Sequence, residues 1–384
     1  MPRPAGERWD VVVVGAGPAG AAAARSAAED GARTLLVDRA AFPRYKTCGG
    51  GLVGASLAAL PPGLQLPVRD SVTAMTFTHR GHLARTLRHT TALLATVNRD
   101  EFDAALVAGA ASAGATVRDG TPLRAVHAAP GGVEVETGRG RVFARAVVGA
   151  DGSAGRLGRH VGVRCPQVDL GLELELRAGA AAEAWHGRIH LDWGPLPGSY
   201  GWVFPKGDVL TVGVIAARGE AVATRAYLTD LVEHLGLASL PVLRDSGHLT
   251  RCRAETSPLA RGRVLVAGDA AGLLEPWTRE GISYALRSGH LAGRAAARMA
   301  RLGDEGAAAV GRRYAEDIGA TLGAEMRAGR ALLGAFRRRP YVFHAAIAAR
   351  VPAWSLLTRL ITGELPYARL MVPPVRASLA ALAR

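Results

Sequence analysis

The chain has 384 residues, 49% of them hydrophobic, enough for a sizeable core and too apolar for a disordered chain. Lys and Arg exceed Asp and Glu by 47 − 33 = 14, which either favours anionic partners or reflects a GC-rich genome. Three scattered cysteines, Cys48, Cys165 and Cys252, exclude a disulfide framework and an iron–sulfur cluster held by four thiolates; no metal site is expected.

The N-terminus lacks an apolar signal core. The uncharged stretch between Lys46 and Arg69 is broken by glycines and by Pro61, Pro62 and Pro67, so it is not a membrane span. A cytoplasmic location is expected. Asp10 to Val14 reads as a short buried parallel strand, β-branched and apolar. Gly15-Ala16-Gly17-Pro18-Ala19-Gly20 follows and opens an Ala-rich helix to about Asp30, which Gly31 ends. Thr34 to Val37 is a second strand, delivering Asp38 and Arg39. In this strand–turn–helix–strand register Gly15 permits the tight turn and Gly17 lets backbone N–H groups approach a pyrophosphate. Gly20, next to Ala19, lets helix and strand pack closely. Asp38 falls 18 residues after Gly20, where a carboxylate holds a ribose hydroxyl pair. An acid there repels the 2′-phosphate of NADP and leaves FAD or NAD.

Residues 71–96 read as a hairpin, Val72 to Thr78 and Leu83 to Leu87, turning at Arg80-Gly81. Arg99-Asp100-Glu101-Phe102-Asp103 opens a helix. Ala144 to Ala150 is strand-like and delivers Asp151. Further on, Leu170, Leu172, Leu174 and Leu176 alternate with Gly171, Glu173, Glu175 and Arg177, the pattern of a strand with one face buried. Strands near Arg188 to Trp193, Ser199 to Pro205 and Asp208 to Ile215 follow, with a turn at Lys206-Gly207. Arg263 to Ala267 is another buried strand, ending on Gly268-Asp269. An Asp at the carboxyl end of such a strand can bond the ribityl hydroxyls of FAD, which NAD lacks. FAD is therefore the expected cofactor. Glu280-Gly281-Ile282 starts a helix running to about Arg301. Its N–H groups and dipole either stabilise negative charge on reduced flavin or simply touch the cofactor. Beyond 300 the chain reads as helical, with breaks near Pro340, Pro352 and Pro366. Arg337-Arg338-Arg339 stand beside Phe336, Tyr341, Phe343 and Trp354, a composition that suits peripheral contact with an anionic membrane or a solvated helical face.

The expected architecture is α/β (α+β). A discontinuous FAD-binding domain takes 1–70, 97–165 and 250–300. An antiparallel-sheet substrate domain takes 71–96 and 166–249, and a helical region takes 301–384. In this order the motifs resemble the para-hydroxybenzoate-hydroxylase-type flavoprotein fold, in which the helix bearing Arg99 approaches the flavin.

Three segments resemble the geranylgeranyl reductase family. Pro43-Arg44-Tyr45-Lys46-Thr47-Cys48-Gly49-Gly50-Gly51 is similar to its PxxKxCGG stretch. Tyr200-Gly201-Trp202-Val203-Phe204-Pro205, followed six residues later by Val212-Gly213, matches YxWxFPx₆VG. Gly268-Asp269-Ala270-Ala271-Gly272 has Pro276, Thr278, Glu280-Gly281-Ile282 and Ser288-Gly289 downstream. The resemblance covers residue 1 to about 300. It implies an FAD enzyme that reduces isolated carbon–carbon double bonds of a polyprenyl chain. One departure is Arg279, where the family usually has Gly; a long cation there is expected near the flavin or the tunnel mouth.

Tyr200, Trp202 and Phe204 share one face of a strand and either line an apolar groove over the flavin or fill a sheet-to-sheet core. Cys48 sits among permissive glycines, Gly49 first, with Arg44 and Lys46 nearby, and neighbouring cations lower a thiol pKa from about 8.5. Alkene reduction needs a hydride from flavin N5 and a proton from elsewhere. Cys48 either supplies that proton or fills a tight turn. No second GxGxxG follows a strand, so the electron donor is transient NADPH or NADH, or a reduced protein carrier. The partner is a polyprenyl small molecule or lipid, not nucleic acid. The rival reading is a flavin monooxygenase or halogenase of the same fold.

Overall fold

The computed structural model describes residues 7–349 and 352–371. Residues 1–6 of the expected first segment, and 350–351 and 372–384 of the expected helical region, lie outside the described residues. The strand Glu7–Val14 is the centre of the larger sheet. Its residues Val11, Val12 and Val13 are wholly buried, as befits a strand covered on both faces. It lies parallel to Thr34–Val37 on one side and to Gly140–Gly149 on the other. Thr116–Arg118 and Val264–Val266 extend the parallel order outward. Leu123–Ala129 and Gly132–Thr137 fold antiparallel onto Gly140–Gly149.

The helix Pro18–Glu29 starts with proline in its first turn and packs on the long helix Ile282–Ala300. Their approach is backbone to backbone. A Cβ at Gly289 would lie 2.3 Å from Ala19 O, and one at Gly293 2.2 Å from Ala23 O. This contact holds the nucleotide-side turn and the Gly281 helix start in one rigid unit.

The second sheet has seven strands in the order Val242–Cys252, Gln167–Arg177, Val209–Ala217, Tyr200–Lys206, Arg188–Trp193, Ala74–His79, His82–Arg88. The hairpin that turns at Arg80-Gly81 supplies the last two strands. The expected antiparallel sheet needs one correction: Ala74–His79 pairs parallel with Arg188–Trp193, because the hairpin enters from another part of the chain. The strand Val242–Cys252 crosses the expected boundary at 249. The helix Ala221–His234 and a three-stranded sheet of Gly51–Val53, Leu94–Val97 and Val68–Val72 lack a periodicity that marks them in the sequence. Gln167–Arg177 also departs from its pattern. Leu176 is buried as expected, yet Glu173, on the opposite face, is only 1% exposed. Both faces are covered, one by the sheet's own core and one by the loop around Cys48.

The described C-terminal helices are Asp304–Ile318, Ala324–Arg338, Pro340–Ala348 and Ala353–Ile361, the first two joined by a π-helical turn at Gly319–Gly323. Arg337, Arg338 and Arg339 are exposed. Of their aromatic neighbours only Tyr341 is exposed, at 56%. Phe336, Phe343 and Trp354 turn inward against Trp193, Trp277 and Phe77, with ring centroids 5.2–6.3 Å apart. The expected cationic–aromatic patch therefore keeps its cations at the surface, with Phe336 in the core and Phe343 and Trp354 half-buried against it. No helix among the described residues is long and apolar enough to cross a membrane.

Candidate functional site

The two sheets enclose one cavity of about 2020 Å³. Pockets for one small ligand reach about 1,000 Å³, so this space accommodates a dinucleotide and a second molecule.

One wall is largely backbone. Gly15 holds φ at 97°, and a Cβ there would lie 2.3 Å from Ala150 O. A Cβ at Gly20 would lie 1.7 Å from Gly15 O. These two positions accept no other residue, whereas a Cβ at Gly17 would meet only the Arg44 guanidinium, at 3.4 Å, and Gly17 borders the cavity with Ala19. The Asp38 carboxylate accepts the N–H groups of Ala16 (2.7 Å) and Ala40 (2.8 Å), which fixes the turn and leaves the acid on the cavity wall beside exposed Arg39. Asp151 Oδ2 accepts from Arg156 N at 2.5 Å and Leu157 N at 3.1 Å, while Oδ1 is buried without a partner among the described residues. Burial raises its pKa although these amides oppose the rise. Such an orphaned acceptor is costly until a ligand donor meets it.

Asp269 follows Gly268, whose φ is 55°, and faces His248 at 3.8 Å from the second sheet. Burial works against its charge, but His248, Lys46 and Arg99 together hold its carboxyl below the ordinary value. Gly281 and Ile282 put the start of the Ile282–Ala300 helix on the cavity; Glu280 caps that helix by accepting Ser283 N at 2.8 Å. Arg99 is bound to buried Asp103 through Nε at 2.9 Å and a terminal nitrogen at 2.8 Å; Arg44 joins the same carboxylate at 2.9 Å. Burial opposes the Arg99 charge, and Asp103 and Cys48 more than restore it. The Gly17 backbone on the cavity wall, the unpaired Asp151 oxygen and the Asp269 carboxylate fit the pyrophosphate and hydroxyl groups of FAD.

The opposite wall is the second sheet. Its register sets Trp202, Gly213, Glu173 and Ser246 side by side in one cross-strand row. Gly213 is glycine because the Trp202 indole lies over it: a Cβ there would be 2.2 Å from Cζ2. The loop carrying Cys48 docks on this row. Tyr45 and Thr47 hydroxyls bond Ser246 Oγ at 3.0 and 3.1 Å. Cys48 N donates to Glu173 Oε1 at 3.1 Å, and Lys206 Nζ donates to Cys48 O at 3.0 Å. Gly49 must lack a side chain, since a Cβ would lie 2.6 Å from the Phe204 ring. Tyr200, Trp202 and Phe204 all border the cavity, with Tyr200 and Trp202 rings 5.8 Å apart. Beyond them the lining turns apolar: Phe77, Ile189 and Leu191 from the sheet, Leu357, Leu360 and Ile361 from the helix Ala353–Ile361.

Arg279 borders the cavity, but its guanidinium turns into protein. Nε donates to Asp169 at 3.0 Å and one terminal nitrogen to the carbonyls of Gly198 (3.1 Å) and Trp277 (2.6 Å). Its charge is thus compensated internally. Arg279 also holds φ at 55°, a left-handed conformation that accounts for the family's glycine at this position.

Sequence reasoning missed Glu173, His248, Lys206 and the C-terminal helix. Lys206 directly follows the aromatic motif, a signal that was available. Alternation assigns Glu173 to the polar face of a half-buried strand, and His248 lies on the unrecognised edge strand. The C-terminal residues are plain aliphatics with no motif.

Residues 8–308 match the family model described as an FAD binding domain. The menaquinone reductase of Mycolicibacterium smegmatis is 33% identical over 310 residues, 74% of this chain and 75% of its own length. Digeranylgeranylglycerophospholipid reductase 2 of Methanosphaera stadtmanae is 30% identical, covering 77% of this chain and 79% of its own. Among solved structures, a geranylgeranyl bacteriochlorophyll reductase-like protein from Thermoplasma acidophilum aligns with TM-score 0.78 at 22% identity, covering 98% of this chain and 99% of that one. A flavin-dependent brominase aligns with TM-score 0.76 at 15% identity, covering 97% and 98%. The fold is therefore shared by reductases and halogenating enzymes and does not choose between them.

Proposed function

Because the chain belongs to the geranylgeranyl reductase family of FAD-binding oxidoreductases, we propose that it reduces isolated carbon–carbon double bonds of a polyprenyl chain. The observation that carries this reading is the docking of the Cys48 loop on the Trp202–Gly213–Glu173–Ser246 row, where the backbone wall meets the apolar chamber. Bound FAD, once reduced by NADPH, NADH or a protein carrier, supplies the hydride. Gly15, Gly17, Ala19 and Gly20 let the chain close on the pyrophosphate, with Asp38 and Arg39 toward the adenosine end. Asp151, Arg99, Gly268, Asp269, Gly281 and Ile282 serve the rest of the cofactor. Tyr200, Trp202 and Phe204 hold the apolar chain and exclude water, and Cys48 delivers the proton. Relatives are named for prenyl lipids and for a prenyl quinone; the shared chemistry is a long isoprenoid.

The test is anaerobic. Enzyme with reduced flavin is mixed with prenyl diphosphates, prenyl lipids and prenyl quinones. We expect reoxidation of the flavin and a product heavier by two hydrogens. Reoxidation only with oxygen, and a hydroxylated or halogenated product, would replace this reading with the monooxygenase or halogenase one.

Asp269→Ala tests the cofactor end. It removes the acceptor for the flavin's hydroxyl chain and leaves His248, Lys46 and Arg99 without their shared carboxylate. Losing a charge-assisted hydrogen bond costs about 1.5–3 kcal/mol, on the order of 10–100-fold weaker FAD binding by flavin fluorescence titration. Unchanged affinity would move the ribityl contact elsewhere.

A further inference from the structure

Glu173 is a buried acid at the centre of the cavity wall. Its side chain borders the cavity while being only 1% exposed. One oxygen, Oε1, accepts the Cys48 N–H at 3.1 Å. The other, Oε2, is buried and has no partner among the described residues. Its neighbours in the sheet, Gly213 and Ser246, are uncharged. The titratable groups that face it are Lys206 from the Tyr200–Lys206 strand, Lys46, Tyr45 and Cys48 from the docked loop, and Glu175 on its own strand. Burial pushes the Glu173 carboxyl up to about 7; Lys206, the Cys48 N–H and Lys46 offset part of that rise, and Glu175 adds to it. An acid half protonated near neutrality, with one unused oxygen, can both give and take a proton.

We propose that Glu173 positions Cys48 and returns to it the proton consumed in each turnover, a role that rests on the alkene-reductase reading above. In the chemical step bound FAD would supply a hydride, and with it two electrons, to one alkene carbon. The Cys48 S–H bond breaks and a C–H bond forms at the other carbon, leaving a thiolate. The Glu173 O–H bond then breaks and the S–H bond re-forms, the proton passing through water in the cavity because the direct contact runs to the Cys48 N–H; the carboxylate recovers its proton from water entering the cavity. The two electrons would come back to FAD from its donor. Lys206 steadies the opposite side of the Cys48 peptide through the carbonyl.

Glu173→Gln keeps an acceptor for the Cys48 N–H and removes the proton. We expect the holoenzyme to retain FAD and a near wild-type first turnover, since Cys48 starts protonated. Multiple turnover falls on the order of 10²-fold with KM little changed. Wild-type kcat declines as pH rises through about 7, and the variant loses this inflection. Glu173→Asp, which keeps a titrating acid on a shorter arm, restores part of it. A readout independent of turnover is the infrared difference spectrum of the holoenzyme between mildly acidic and mildly alkaline buffer. A carboxylic acid C=O band should titrate near pH 7 in wild type and vanish in Glu173→Gln. Persistence of the band, or wild-type prenyl reduction with an unshifted pH profile in Glu173→Gln, overturns this role alone. Wild-type enzyme inert toward every prenyl substrate overturns the functional reading and this role with it.

Discussion

Cys48→Ser is expected to keep FAD, keep reduction of the flavin by its donor, and slow alkene reduction by about 10²–10⁴-fold, the range for loss of a positioned general acid. The geometry makes this substitution clean. The contacts that fix the loop act on the Cys48 backbone, through Glu173 and Lys206, and stay in place. Among the described residues Sγ meets the Gly50 N–H at 3.4 Å and the Arg99 guanidinium, and a hydroxyl can accept from both. What changes is acidity, since an alcohol is a far weaker acid than a thiol. The loss should sit in the oxidative half-reaction, measured by stopped-flow as flavin reoxidation by the alkene. A residue that only fills the turn would leave both half-reactions intact, because Gly50, at φ 75°, carries the left-handed conformation. A redox relay would slow flavin reduction as well. Reoxidation at the wild-type rate ends the proton-donor reading and passes that task to water or to another group of the cavity.

The nucleotide turn was legible because its constraints are local. Gly15 and Gly20 are demanded by carbonyls within a few ångströms, and Asp38 by the turn it closes. The aromatic motif was legible as a face but not as a fit. Only the register explains why Gly213 ends it, since that glycine lies under the Trp202 ring. Alternation along Gln167–Arg177 distinguished two faces and said nothing of what covers each. Glu173 therefore looked like a solvent-facing acid, whereas it supports the Cys48 loop. The cavity's apolar end was illegible for a different reason. Leu357, Leu360 and Ile361 reach it through tertiary packing of a helix far along the chain, and aliphatic residues carry no chemistry that marks them as lining.

Arg279→Gly should make the protein less stable even though glycine suits the backbone better. Two effects oppose each other. Arg279 holds φ at 55°, and relieving that conformation returns about 1–2 kcal/mol. Its side chain and that of Asp169 are 5% and 6% exposed and joined at 3.0 Å. Removing one partner of so buried a pair costs about 3–5 kcal/mol, because the remaining charge is stranded. Asp169 would keep only the Gln167 amide, at 2.8 Å. The cavity wall at Tyr200, over whose ring the guanidinium lies at 5.7 Å, would also lose a cover. The net is a loss of roughly 1–4 kcal/mol, seen as a Tm lower by several degrees in thermal unfolding followed by circular dichroism. Arg279→Ala loses the same ion pair and keeps the strained φ, so it should be the least stable of the three. Arg279→Gly combined with Asp169→Asn leaves no stranded charge and should recover most of the loss. An order with the glycine variant at or above wild type would mean that the backbone outweighs the ion pair here. Arg279 would then be retained for what it does to the cavity rather than for the fold, and the prenyl chain lengths accepted by the variant would become the informative measurement.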